Sequence, residues 1–91
     1  MRIRWTEGAA DNLTQVEEYI ARDNPAAAVN TVLKIIATAE MLADYPALGK
    51  RGRERGTREL VVAGLPFFII FAVHREELII IRVLHTSRKY P

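Results

Sequence analysis

At 91 residues, 49% hydrophobic and 26% charged, the chain reads as one globular domain over residues 1–91, too apolar to remain disordered. It has no cysteine and only two histidines, far apart in sequence. Disulfides and thiolate metal sites are therefore excluded, and neither a metal nor another cofactor is expected. The net charge of +2 hides an asymmetry: residues 1–49 carry four Lys/Arg against seven Asp/Glu, and residues 50–91 carry nine against four. A basic patch in the second half is compatible with an RNA or phosphate contact, but the small total argues against wrapping long nucleic acid.

In chain order, Arg2 to Trp5 alternates charged and apolar residues and predicts a short strand. Thr6 is a suitable N-cap for a helix, with Glu7 in its first turn. Ala9, Leu13, Val16 and Ile20 form one apolar stripe along it. Asp23-Asn24-Pro25 stops and restarts the chain, because the residue before proline avoids the helical region and proline suits the first helical position. A second helix is predicted from Pro25 to Asp44. Its stripe is Ala28, Val32, Ile35, Ile36, Ala39 and Leu42, widened by Val29 and Leu33. The short joint makes the two helices an antiparallel hairpin.

Tyr45 to Gly49 ends the hairpin, and a polar loop rich in Arg and Gly runs on through Thr57. Three near-continuous apolar strands follow, at residues 58–62, 67–73 and 78–85, with turns at Gly64-Leu65-Pro66 and His74-Arg75-Glu76. The pattern is β-α-α-β-β-β: an α+β fold, with an N-terminal strand and a helical hairpin packed on an antiparallel sheet. The longest apolar run, Leu65 to Val73, is too short to span a membrane, and the N-terminus lacks the apolar stretch of a signal peptide. A cytoplasmic location without membrane contact is expected.

Two arginines interrupt the apolar strands, Arg58 and Arg82. A guanidinium keeps its charge, so each needs a partner or an open face. Phe67 to Val73 is apolar at every position, and the helices can cover only one face of the sheet. Phe67, Phe68, Ile70 and Phe71 are therefore expected to offer a groove to an amphipathic partner, the alternative being that the C-terminal tail and neighbouring loops close that face.

Several strings in this order resemble the RelE/ParE superfamily, the toxin halves of type II toxin–antitoxin pairs. They are Trp5-Thr6, Asp23-Asn24-Pro25-Ala26, Tyr45-Pro46-Ala47-Leu48-Gly49, Gly56-Thr57-Arg58-Glu59-Leu60-Val61-Val62 and Arg82-Val83-Leu84-His85-Thr86-Ser87-Arg88. Together they cover essentially the whole chain, and the Arg-Glu-Leu and Arg-Val-Leu-His strings look most like the ParE branch. The resemblance implies the helical-hairpin fold, and an antitoxin, ParD-like or RelB-like, whose C-terminal segment wraps the toxin. Any DNA contact would come only through that antitoxin. It implies two possible targets: ParE-like members poison DNA gyrase, and RelE-like members cut mRNA on the ribosome. Fold alone does not choose between them.

For a metal-free ribonuclease, Arg58 and Arg82 match the sheet arginines that RelE-like enzymes hold near the scissile phosphate, and His85 is the one nearby imidazole for proton transfer. The late tyrosine of those enzymes has no clear counterpart. Tyr90 is out of register and Arg88, nearer the place, cannot act as acid or base. The expected reading is thus a ParE-like toxin that traps gyrase by contact. Its target-facing positions are Lys50, Arg51, Arg53, Arg55, Arg58, Arg82, His85 and Arg88. The alternatives are a ribosome-dependent endoribonuclease using Arg58, Arg82 and His85, and a relic that only binds its antitoxin. Each residue also has a plainer reading. The arginines could bond Glu59, Glu76, Glu77 or loop carbonyls, the run from Lys50 to Arg55 could be a solvated loop, and His85 could be a surface residue.

Overall fold

The computed structural model describes residues 1–87; Arg88 and Tyr90 lie outside the described residues. Ile3 and Trp5 pack against the core while Arg2 and Arg4 face solvent, which makes β1 (Arg2–Trp5) an edge strand with one wet face. The Thr6 hydroxyl accepts the Ala9 N–H at 3.1 Å and caps α1 (Glu7–Ala21). Ala9, Leu13, Val16 and Ile20 all meet the core, as their spacing requires. Asn24 caps α2 (Pro25–Asp44) by accepting the Ala27 N–H at 3.0 Å, with Pro25 at the first helical position.

The core face of α2 is Ala28, Thr31, Ile35, Ala39, Leu42 and Ala43. Val29 and Leu33, expected to widen that face, are instead 50% and 58% exposed. Residues on a helix step round by about 100°, so a row fixed by Ala28, Ile35, Ala39 and Leu42 leaves Val29 and Leu33 on the flank. By length and composition α2 also suits a bilayer, although polar residues interrupt its apolar ones. Within the fold its buried face is spent on the sheet.

The sheet has five strands in the order β1-β5-β4-β3-β2. The predicted polar loop contains the short β2 (Lys50–Arg51), paired antiparallel with β3 (Arg58–Val61). β4 (Phe67–His74) and β5 (Glu77–His85) complete the antiparallel part. β1 joins β5 in parallel, so the sheet is mixed rather than wholly antiparallel. Parallel neighbours need a long crossover, and the helical hairpin with the following strands supplies it. Alternation in four residues marks a strand but carries no direction.

Alternation along β4 divides the core. Phe67, Ile69 and Phe71 join the large cluster with Ile35, Leu42, Leu78 and Ile80, where α1 and α2 also pack. Phe68 and Ile70 join Leu84 and Ile81 in a smaller cluster. The register jumps between Ile70, opposite Arg82, and Phe71, opposite Ile80. Ile81 is thus the extra residue of a β-bulge in β5.

Candidate functional site

Arg58 starts β3 opposite Phe71, and Arg82 lies across β4 from it, opposite Ile70. Their backbones are therefore about 10 Å apart, two strand spacings and one step of register. Arg58 donates through Nη2 to the Gly49 carbonyl at 2.6 Å, one of the loop carbonyls considered above and none of the carboxylates. Its Nε is buried without a partner. Arg58 also faces Arg51 directly across β2 and β3, a like-charge pair that disfavours the pairing unless an anion is present.

The run from Lys50 to Arg55 is therefore not an irregular loop. Lys50 and Arg51 are strand residues, and Glu54 to Thr57 form a tight turn in which the Thr57 N–H donates to the Glu54 carbonyl at 3.2 Å. Gly56 takes φ +80 at the third place of that turn, where a side chain would be strained. Gly52 donates to the Thr57 carbonyl at 2.8 Å and closes the hairpin. Glu59, 5% exposed, accepts the Arg53 N–H at 3.0 Å and so ties the hairpin to β3. Arg51, Arg53, Arg55 and Arg58 line an open basin of about 690 Å³, with Glu54 as its one acidic member.

Arg82 is exposed, and its Nη1 donates to the Ile81 carbonyl at 2.9 Å. The Thr6 hydroxyl lies 3.0 Å from the same carbonyl and 3.0 Å from that of Ile80. The bulge thus turns the β5 backbone toward the start of α1.

His85 ends β5 opposite Phe67, four residues along β4 from the partner of Arg58. At about 3.3 Å per residue and 4.8 Å per strand, the backbones of Arg58 and His85 stand roughly 16 Å apart. The His85 ring meets Phe67 edge-on at 5.4 Å, and its Nδ1 lies 3.1 Å from the Ser87 N–H and 2.7 Å from the Ser87 hydroxyl. It belongs to a different surface, a groove of about 280 Å³ between α1 and the end of β5, shared with Asn12, Val16 and Tyr19. Of the grouping expected from sequence, His85 thus stands apart from Arg58, while Arg82 precedes it by three residues on β5. The target-facing assignment of Arg88 concerns a residue outside the described ones.

Phe67 and Phe71 belong to the core beneath the helices, and Phe68 and Ile70 are only 6% and 3% exposed. Their burial corrects the expectation that these four side chains form an open groove. The exposed large apolar residues of α2 are Val29, Leu33 and Met41. No group of three or more metal-ligating side chains occurs among the described residues.

Sequence reasoning missed Gly8, Asn12 and Gly49. A glycine in the first turn of a helix and an asparagine inside one are both poor helix formers, and that cost was the available signal. A Cβ on Gly49 would lie 2.6 Å from Cε1 of Phe71, so the loop backbone sits on that ring.

A helical hairpin laid on this sheet, with arginines in β3 and β5, defines a toxin of the RelE/ParE superfamily. Comparison with known proteins is specific. The chain belongs to the family described as the ParE toxin of the type II toxin–antitoxin system parDE, whose model matches residues 3–90. It is 40% identical to protein Y4kP of Sinorhizobium fredii over 90 residues, covering 99% of this chain and 93% of that protein. It is 33% identical to Toxin RelE2 of Caulobacter vibrioides over 87 residues, covering 96% and 97%. Among solved structures it matches the chromosomal ParDE TA system from P. aeruginosa with a TM-score of 0.85 and 26% identity, over 93% of this chain and 95% of that one.

Proposed function

We propose that this toxin acts by contact, inhibiting DNA gyrase, and that a cognate antitoxin neutralises it. The observation that carries the contact reading is the separation of Arg58 from His85. A metal-free ribonuclease needs its charge-stabilising and proton-transferring groups within hydrogen-bond reach of one phosphate. Here the arginine is bonded to Gly49 and the imidazole to Ser87, with their backbones roughly 16 Å apart by strand spacing. As a contact surface, the basin of Arg51, Arg55 and Arg58 and the exposed Arg82 present fixed cations, which suit electrostatic docking. The ParE family match and the likeness to a ParDE system support an antitoxin as partner. Gyrase as target follows from the resemblance of the Arg-Glu-Leu and Arg-Val-Leu-His strings to the ParE branch.

The deciding experiment is a supercoiling and DNA-cleavage assay with purified gyrase, with and without the antitoxin. Lost supercoiling or trapped cleavage complexes, reversed by antitoxin, are expected. Unaffected gyrase would reject this target and direct the work to mRNA cleavage on the ribosome, a reading favoured by the likeness to a relative named RelE2.

A further inference from the structure

Gly8 stands at the second position of α1, where alanine would serve the helix better. Its missing side chain has a local reason. A Cβ built there would overlap the guanidinium of Arg82, at 2.6 Å from Cζ and 3.2 Å from Nη2. The guanidinium therefore sits against the backbone of the first helical turn, with Nη1 nearest Gly8. Nη1 is anchored on the Ile81 carbonyl, which the bulge directs to α1 and which the Thr6 hydroxyl also approaches. Among the described residues no carboxylate pairs with Arg82, so its other donors remain available to a partner.

We infer that Gly8 is a positioning residue: by leaving room for the Arg82 guanidinium on the first turn of α1, it holds that cation in one orientation for the target. The inference rests on the contact reading of Arg82 given above. A long arginine otherwise loses rotamer freedom when it is immobilised by a partner, and seating it beforehand removes part of that cost. The atoms a new Cβ would meet are the far end of one flexible side chain rather than backbone. Gly8→Ala should therefore displace Arg82 and leave the fold in place.

The test compares the wild type with Gly8→Ala, Gly8→Ser, Arg82→Ala and the double variant Gly8→Ala/Arg82→Ala, each full-length and released from antitoxin. The first readout is the Arg82 Nε–Hε resonance, identified by its loss in Arg82→Ala. In both Gly8 variants it should move to the position and mobility of a free arginine, while the melting temperature stays level or rises. An unmoved resonance in both would overturn the inference. The second readout is gyrase affinity, expected to fall by about threefold to tenfold in Gly8→Ala. The double variant should bind no more weakly than Arg82→Ala alone, and additive losses would assign Gly8 a role of its own and overturn the positioning. If Arg82→Ala binds gyrase normally, the contact reading of Arg82 fails and this role for Gly8 falls with it. The resonance would then still report whether the guanidinium is seated, so the two failures are told apart.

Discussion

Asn12, inside α1, accepts the backbone N–H of Val83 on β5 at 3.1 Å, joining residues 71 positions apart. β1 pairs with β5 only as far as Ile80, so beyond it the edge of β5 would be left open. A side chain from the helix takes the place of the missing strand, and Thr6 does the same at the Ile80 and Ile81 carbonyls. An unpaired edge invites association with other chains, and covering it with a helix is one common remedy.

Replacing Asn12 by alanine should therefore cost more than its half-buried position suggests. It leaves the Val83 N–H without an acceptor, a loss of about 1–3 kcal/mol, partly offset by the better helix propensity of alanine. Denaturant unfolding measures this, and Asn12→Asp, which still offers an acceptor, should lose less. Equal losses in both variants would mean that the bond contributes little.

The apolar periods and the caps made most of the fold legible: Thr6, Asn24 and Pro25 mark the helix starts where the sequence places them. The strand turns were similarly marked by Gly64 and by the polar His74-Arg75-Glu76. Less legible was whatever depends on contacts between distant residues. Arg58 finds a loop carbonyl through packing, Gly49 is small because Phe71 arrives from β4, and the direction of β1 follows from the crossover. The candidate site suffered most. His85 and Arg58 are close in type and in family pattern, yet the ladder of β4 sets them four residues and two strands apart.

Gly49→Ala should destabilise the chain through Phe71. The added carbon would press on a fully buried ring, and overpacking of this kind costs about 1–3 kcal/mol. It would also shift the carbonyl that holds Arg58, so the variant should lose target binding beyond its loss of stability. Gyrase binding measured well below the melting temperature separates the two effects. Normal binding there would show that the Gly49 carbonyl does not fix a functional arginine.

Arg75 adopts φ +57 in the two-residue turn between β4 and β5, an orientation that costs an L-residue roughly 1 kcal/mol or more. Gly or Asn tolerates it better. Arg75→Asn should raise stability by some tenths to about 1 kcal/mol, and Arg75→Gly should do so less the entropy that glycine adds to the unfolded chain. Thermal unfolding is a sufficient check. Because the candidate residues Arg58 and Arg82 lie elsewhere on the sheet, toxicity should be unchanged.

The exposed apolar row on α2 supplies the last test, directed at the antitoxin. Leu33 is 58% exposed, and Val29 and Met41 are also exposed at helical spacings of four and eight residues from it. Phe68 and Ile70, at 6% and 3% exposure, offer a partner far less surface. An amphipathic antitoxin helix laid on α2 would bury Leu33 near the middle of its contact, where truncation or charge costs about 1–3 kcal/mol of binding. Leu33→Glu should therefore weaken antitoxin affinity by that amount, read by titration calorimetry. It should leave unfolding free energy within about 0.5 kcal/mol, as expected for an exposed helix position. Unchanged affinity would place the antitoxin on another surface, with the groove between Tyr19 of α1 and His85 of β5 as the next to be mutated.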